Sequence, residues 1–434
     1  MSTVKRRSLR LLALLALGLF ACQPSAALSL PAPVSTPTPY IFSSLYGQTL
    51  ATYTPTAAAA QPATPAATIS TAFAGQTLHL HLFCARSGPL SASSAWRAGA
   101  LEAALQQYNA AGGLQGAQLQ FDLIDTGDAT QPEPSAAAAA QQAATDQPAP
   151  LALLCDAASE ELLIQWLTQR NLPALGPGVA AQARGVLYGL EPPPAQALAH
   201  WLRFMQAPRR AEDTRSLSSP LRLAIVSWPG SLAGEVFTPQ LEQFAEELDV
   251  PIVQTVELSP RADLNVYEWI YTARDLNVNL LYVNADSYGL AAVLNALGHL
   301  GLQGRFAVAA PSLAYEPALY EYLADPAFAE GLYLVSALPL KPVGEGQAPA
   351  VLGLVQDSFA QASLAILTSA LEHALAAAGS PAAITPAQVA AGLQAAGYPD
   401  GQRSPAQLAL WQLGATPGEV RQLDTLRAPA SLAP

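Results

Sequence analysis

The residues with the most chemical promise lie between Leu78 and Gly116, where the chain reads LHLHLFC, then ARSGPLSASSA, then WRAGALEAALQQYNAAGGLQG. Ser87, Ser91, Ser93 and Ser94 gather hydroxyls and backbone N–H groups at the junction of a strand and a helix, which suits hydrogen bonding to a polar or anionic ligand. Catalytic patterns are weaker. Ser231 stands between glycines in Gly230-Ser231-Leu232-Ala233-Gly234, but without the G-x-S-x-G spacing of a nucleophile elbow. His79 and His81 share a strand face, and we read them as satisfied or edge histidines rather than a metal pair. No Cys/His cluster has ligand spacing, so neither a metal nor a cofactor is expected, and the chain is not read as an enzyme.

The elements that position the hydroxyls follow from local patterning. Leu78, Leu80 and Leu82 alternate with His79, His81 and Phe83, as in a strand whose two faces meet different neighbours. Gly88-Pro89 breaks that strand, and a helix follows with Ala100, Leu101, Ala104, Leu105 and Tyr108 on one side. Gly112-Gly113 ends the helix where a left-handed cap is sterically free. In open α/β sheets ligands sit at this carboxyl edge.

Composition narrows the function. Lys5, Arg6, Arg7 and Arg10 precede an apolar run from Leu11 to Phe20, too short to span a bilayer and so read as a signal peptide. Leu19-Phe20-Ala21-Cys22 resembles a bacterial lipobox, although Phe20 is bulkier than that pattern usually has. Two readings stand: lipidation at Cys22, or an ordinary signal peptide cleaved nearby. Removing residues 1–21 takes four basic and no acidic residues, which moves the net charge from −12 to −16. That balance argues against nucleic acid as a partner and against attachment to an anionic bilayer through a basic patch. Cys84 and Cys155 both end apolar strands, and outside the cytoplasm either a disulfide or two buried thiols is permitted. Their Cα separation decides.

Residues 22–76 are rich in Pro, Thr, Ser and Ala and read as a disordered tether. Beyond them, strand and helix patterns alternate twice, once through LQFDLID, LALLC, ELLIQWLTQ and PPPAQALAHWLRFM, and again from LRLAIVSW to RFAVAA. Such alternation predicts parallel βα units in two lobes.

Ser87-Gly88-Pro89-Leu90 and Asn109-Ala110-Ala111-Gly112-Gly113-Leu114-Gln115-Gly116 resemble the opening of the type I periplasmic binding proteins of the branched-chain amino acid (Leu/Ile/Val-binding) group. The stretch from Ala262 to Ala310 is similar to the family's second lobe, and Glu330-Gly331-Leu332-Tyr333 to the segment before the return to the first. The resemblance implies an α/β fold with two doubly wound Rossmann-like lobes joined by a three-strand hinge. It divides the chain into a leader (1–21), the tether (22–76), lobe 1 (77–190), lobe 2 (191–336), the return to lobe 1 (337–407) and a C-terminal crossover and tail (408–434). The hinge falls near 188–191, 335–340 and 407–414.

The family's ligand-holding places map onto Ser91, Ser93 and Trp96; onto Asp156, Ala157 and Ser159 after the second apolar strand; and onto Gly176 and Gly178. In the second lobe the matching residues are Trp228, Ser231, Asn284 and Asp286. This chain departs from the family at Ala233, where a tyrosine is expected, at Gly178, which has no hydroxyl, and at Asp156, which adds a negative charge. The acid that pairs with an amino group has no clear counterpart, although Glu316 or Asp286 is placed to approach the cleft. Trp228 and Trp96 each serve either as stacking surfaces or as simple packing.

The expectation is an extracytoplasmic, lipid-anchored solute-binding protein. It captures a small molecule, an amino acid or related metabolite, and presents it to the membrane subunits of an ABC permease. The alternative is a regulatory or sensory lipoprotein that uses the same fold to contact a cell-envelope protein.

Overall fold

The computed structural model describes residues 71–87, 91–127, 149–155, 161–177, 186–207, 220–229, 236–259, 265–337, 354–396, 408–414 and 419–426, all within one compact unit, Ala67–Pro434. The leader with Cys22, most of the tether, the Gly88-Pro89 turn, and Asp156, Ala157, Ser159, Gly178 and Ser231 lie outside the described residues.

The first sheet is parallel, in the order β2-β1-β3-β4-β5. Its strands are β1 (Thr77–Cys84), β2 (Gln118–Asp125), β3 (Ala152–Leu154), β4 (Ala174–Gly176) and β5 (Leu187–Gly189). The alternation in β1 sorts its side chains onto two covered faces. Leu78, Leu80, Leu82 and Cys84 pack with helix α1 (Ser91–Ala110). Phe83 joins Trp166 and Leu167 of helix α2 (Glu161–Gln169) on the other face. Helices on both faces of a parallel sheet are what a doubly wound lobe requires. β2 is an edge strand, and its half-exposed Asp122 accepts from His79 at 3.0 Å. That contact places His79 in a side-chain pair on the sheet, and among the described residues no group of three or more metal-ligating side chains exists.

Helix α1 ends as its glycines demand. Gly113 has φ +58°, and a Cβ there would lie 2.2 Å from the Ala117 carbonyl oxygen. Asn109 fastens the turn to β2, donating from Nδ2 to Leu119 O at 2.8 Å and accepting from Leu119 N at 2.9 Å.

The chain then runs through helix α3 (Pro194–Gln206) into a second sheet ordered β12-β11-β10-β9-β8-β6-β7. Its strands are β6 (Leu223–Ser227), β7 (Ile252–Glu257), β8 (Leu280–Asn284), β9 (Ala307–Pro311), β10 (Tyr333–Ser336), β11 (Leu408–Leu413) and β12 (Val420–Leu426). From β7 to β10 the pairing is parallel; β11 and β12 add an antiparallel extension. Helix α3 and helix α4 (Pro239–Glu247) cover one face. Helices α5 (Val266–Asp275), α6 (Ser287–His299) and α7 (Pro317–Tyr322) cover the other. Helices α8 (Leu354–Ala378) and α9 (Pro386–Ala395) return to the first sheet and pack with α1. Gly392 permits the close α8–α9 approach, since a Cβ there would come within 2.4 Å of Ala370 O. Among the described residues no helix is long and apolar enough to cross a membrane.

A buried carboxylate ties the crossover segments together. Glu191, just beyond β5, accepts from Ser312 Oγ at 2.7 Å, from Ser336 Oγ at 2.8 Å and from the Ala337 backbone N–H at 2.7 Å. Donors from the ends of β9 and β10 thus fix the exit of the first sheet.

Candidate functional site

The carboxyl ends of β1 and β3 carry Cys84 and Cys155, which form a disulfide with a Cα separation of 5.0 Å. This is within the span a bridge allows. Arg97, one helical turn after Ser93 on α1, donates from Nη1 to the Cys155 carbonyl at 2.7 Å. Its Nη2 reaches across to the second sheet's loops, to Leu313 O at 3.2 Å and to Glu316 Oε2 at 3.3 Å. The guanidinium and the carboxylate are both shut from water, their side chains being 5% and 1% exposed. An ion pair so placed must recover the cost of desolvating both charges through good geometry and further hydrogen bonds.

Ser93 supplies one of those bonds. Its hydroxyl donates to Glu316 Oε1 and lies 2.9 Å from Ser287 Oγ. A serine hydroxyl has a single proton, so Ser287 is the donor to Ser93. The spacing of Ser93 and Arg97, four residues apart, sets both on one face of α1. Ser287 opens α6, and Glu316 immediately precedes α7.

Next to Ser287, Asp286 caps α6 by accepting from the Gly289 N–H at 3.1 Å, and the same oxygen accepts from Trp228 Nε1 at 3.0 Å. Its other oxygen, Oδ2, is buried with no hydrogen-bond partner. Burial, followed by the charge of Glu316, pushes the Asp286 carboxyl up to about 7, against the opposing hydrogen bonds and Arg97. Trp228 is 3% exposed and stacks on Tyr288 with ring centroids 6.3 Å apart, while Tyr322 meets Tyr288 edge-on at 5.4 Å. Burial raises the Tyr322 hydroxyl above the usual phenol range, with Asp286 and the other nearby acids adding to it.

The structure therefore brings Ser93, Asp286 and Trp228 into one neighbourhood, and it shows Trp228 both packed in the core and stacked on a neighbouring ring. Asn284 is buried at the end of β8 and donates its amide to Ser227 Oγ at 3.0 Å. Gly176 ends β4 against Leu154, whose Cβ would be 3.2 Å from a Cβ at that glycine. Ser91 starts α1, and Trp96 is half-buried on it. Arg97, Ser287, Tyr288 and Tyr322 carry no motif. Arg97 had one available signal: it is the only basic residue of α1, one turn from a hydroxyl.

This arrangement is built to hold polar groups. The recorded bonds of His79 and His299 go to Asp122 and Tyr267. None of the hydrogen bonds described for Ser93 or Ser287 links it to a histidine base, as a triad requires.

Comparison with known proteins agrees with the architecture. Residues 82–409 match the family model described as periplasmic binding protein. A branched-chain amino acid ABC transporter protein from Thermus thermophilus with bound valine is similar at 15% identity over 82% of this chain and 98% of its own, TM-score 0.66. A fatty acid ABC transporter substrate-binding protein from Thermomonospora curvata is 14% identical over 82% and 93%, TM-score 0.63. A solute-binding protein from R. palustris in complex with 4-hydroxybenzoate is 12% identical over 82% and 99%, TM-score 0.61. Among curated proteins, none matches the sequence. The parallel first sheet and the mixed second sheet, each covered by helices, and the match over 82–409 together establish that the chain belongs to the periplasmic binding protein family.

Proposed function

We propose that this protein is an extracytoplasmic solute-binding lipoprotein that takes a small polar ligand, an amino acid or related metabolite, between its two lobes and delivers it to an ABC permease. The observation that carries this reading is the meeting of Ser93 and Arg97 with Ser287 and Glu316 at the ligand-facing ends of the two sheets. A guanidinium suits a carboxylate, and the Asp286 carboxyl opposite suits an ammonium group. In this reading Asp286, Trp228 and the outlying positions Ser91, Trp96, Gly176 and Asn284 complete the walls, and Asp156, Ala157, Ser159, Gly178 and Ser231 are assigned to the site from the family resemblance.

In this reading residues 1–21 are the leader, Cys22 carries the lipid, 22–76 form the tether, and 77–190 with 337–407 make the first lobe around 191–336. Glu191 is the hinge pin where the crossovers run together. The Cys84–Cys155 bridge supports an oxidising compartment. The chain binds without transforming its solute.

The test is a thermal-shift screen of amino acids, organic acids, amides and short peptides. A ligand at 100 times its Kd adds about 2.7 kcal/mol of stability. For a lobe-sized unit that raises the melting temperature by roughly 5–10 °C. Silence across the panel would count against the reading. The already satisfied Arg97–Glu316 pair favours a second reading, a regulatory lipoprotein that contacts an envelope protein; co-purification of a protein partner, with no solute bound, would select it.

A further inference from the structure

The Arg97 guanidinium is anchored on its own wall by Cys155 O and reaches across the lobes to a carboxylate belonging to the chain itself. Glu316 engages the first lobe with both oxygens, Oε1 on Ser93 and Oε2 on Arg97. The Ser287 hydroxyl adds a further bond across the same seam, and the Arg97 contact to Leu313 O another. Every one of these contacts joins residues 194–223 positions apart in sequence. None survives separation of the lobes. Closing a cleft over Arg97 strips its hydration, and a counter-charge must arrive with the closing wall. In a clamshell that closes only on cargo, the cargo brings it. Here the wall brings its own.

We propose that Glu316 is a built-in occupant of the cleft: it fills a carboxylate seat formed by Arg97 and Ser93 and latches the lobes shut when no solute is present. This rests on the clamshell reading. A solute that carries a carboxylate enters by displacing Glu316, so binding is a competition between a free carboxylate and a tethered one. Tethering gives Glu316 the advantage of high effective concentration, and it sets a threshold that neutral solutes of the same shape do not overcome through this seat.

The experiment uses the full chain, stripped of solute by unfolding in guanidinium with its native disulfide intact and refolding. Ser93→Cys with Ser287→Cys places two thiols where the hydroxyls lie 2.9 Å apart and gives up the Ser93 bond to Glu316 but keeps the Arg97–Glu316 pair, so a cross-link reports the closed form held by that pair. With Glu316 present, the cross-link forms under mild oxidation without solute. In Glu316→Gln it forms at least tenfold more slowly. The double change Arg97→Met with Glu316→Leu leaves no lone buried charge and should slow it equally, which guards against a misfolded single variant. Calorimetry with L-valine and 4-hydroxybenzoate as carboxylate probes should show at least tenfold tighter binding to Glu316→Gln than to the wild type. Equal cross-linking rates in all three backgrounds, no cross-link without solute, or equal probe affinity in the two proteins would overturn the latch. A solute that induces the cross-link only after its addition would remove the latch and leave solute capture standing. Failure of every solute to bind, with cross-linking rates as expected, would remove solute capture and leave the latch.

Discussion

The bridge between Cys84 and Cys155 gives the most calculable perturbation. It closes a loop of 71 residues containing α1, β2 and the edge of the first sheet. In the chain-entropy treatment a closed loop of that length restricts the unfolded chain by about 4.4 kcal/mol at 25 °C. Both cysteines are buried beside Leu82 and Leu153, so a double alanine variant keeps the core apolar and loses mainly the cross-link. Urea unfolding of the oxidised wild type and of Cys84→Ala with Cys155→Ala should differ accordingly. With a slope of about 3 kcal/mol/M, the midpoint of the first-lobe transition moves down by roughly 1.5 M. Because Arg97 holds the Cys155 carbonyl, the variant should also weaken whatever the cleft binds. A midpoint shift below about 0.3 M, with the slope unchanged, would show that the bridge does not constrain this lobe and would refute the reasoning.

Other consequences follow from single side chains. Asp286 titrates near 7 in the folded protein against 3.8 ordinarily, so the native state holds the extra proton between those values and stability falls as pH rises through that window. Asp286→Asn keeps a competent helix cap and should flatten the pH 4–7 slope measured by urea unfolding; an unchanged slope would count against the burial of that carboxyl. Glu191→Ala removes the acceptor for two buried hydroxyls and the half-buried Ala337 N–H and should cost about 3–5 kcal/mol in chemical denaturation, with Glu191→Gln recovering part of the loss. Gly392→Ala forces a methyl against Ala370 O and should cost about 1–3 kcal/mol, read as a lowered melting temperature; a neutral result would contradict the close approach of α8 and α9.

How much of this was legible in the sequence depends on the range of the forces involved. The β1 alternation and the Gly112-Gly113 stop are set by local sterics, and the structure reproduces both, with Gly113 at φ +58°. Ser93 was singled out in the sequence because a hydroxyl between a strand and the following helix falls at the carboxyl edge of a doubly wound lobe. Glu316 was named as an acid placed to approach the cleft, but its bond to Ser93 was not foreseen and neither was Ser287, because these partners come from 223 and 194 residues away and meet Ser93 only when the two sheets are in place. Arg97 sits in an alanine-rich helix with little polar–apolar asymmetry, and only the four-residue step from Ser93 hints at its role. Glu191 reads as a loop acid before a run of prolines. Its three donors arrive from the ends of two later strands. Trp228 carried two readings in sequence, a stacking surface or simple packing, and the structure shows the packing, since the ring is 3% exposed and lies on α6 while its N–H holds Asp286.

The central claim, that the residues meeting between the two lobes form a solute-binding cleft, is tested most directly by native mass spectrometry of the full chain as purified, alongside Arg97→Met with Glu316→Leu. The account predicts a small-molecule adduct of one defined mass on the wild type, lost or strongly reduced in the double variant, with the same species recovered on unfolding. A bare wild-type protein that also shows no thermal shift with any carboxylate or amino acid would contradict it.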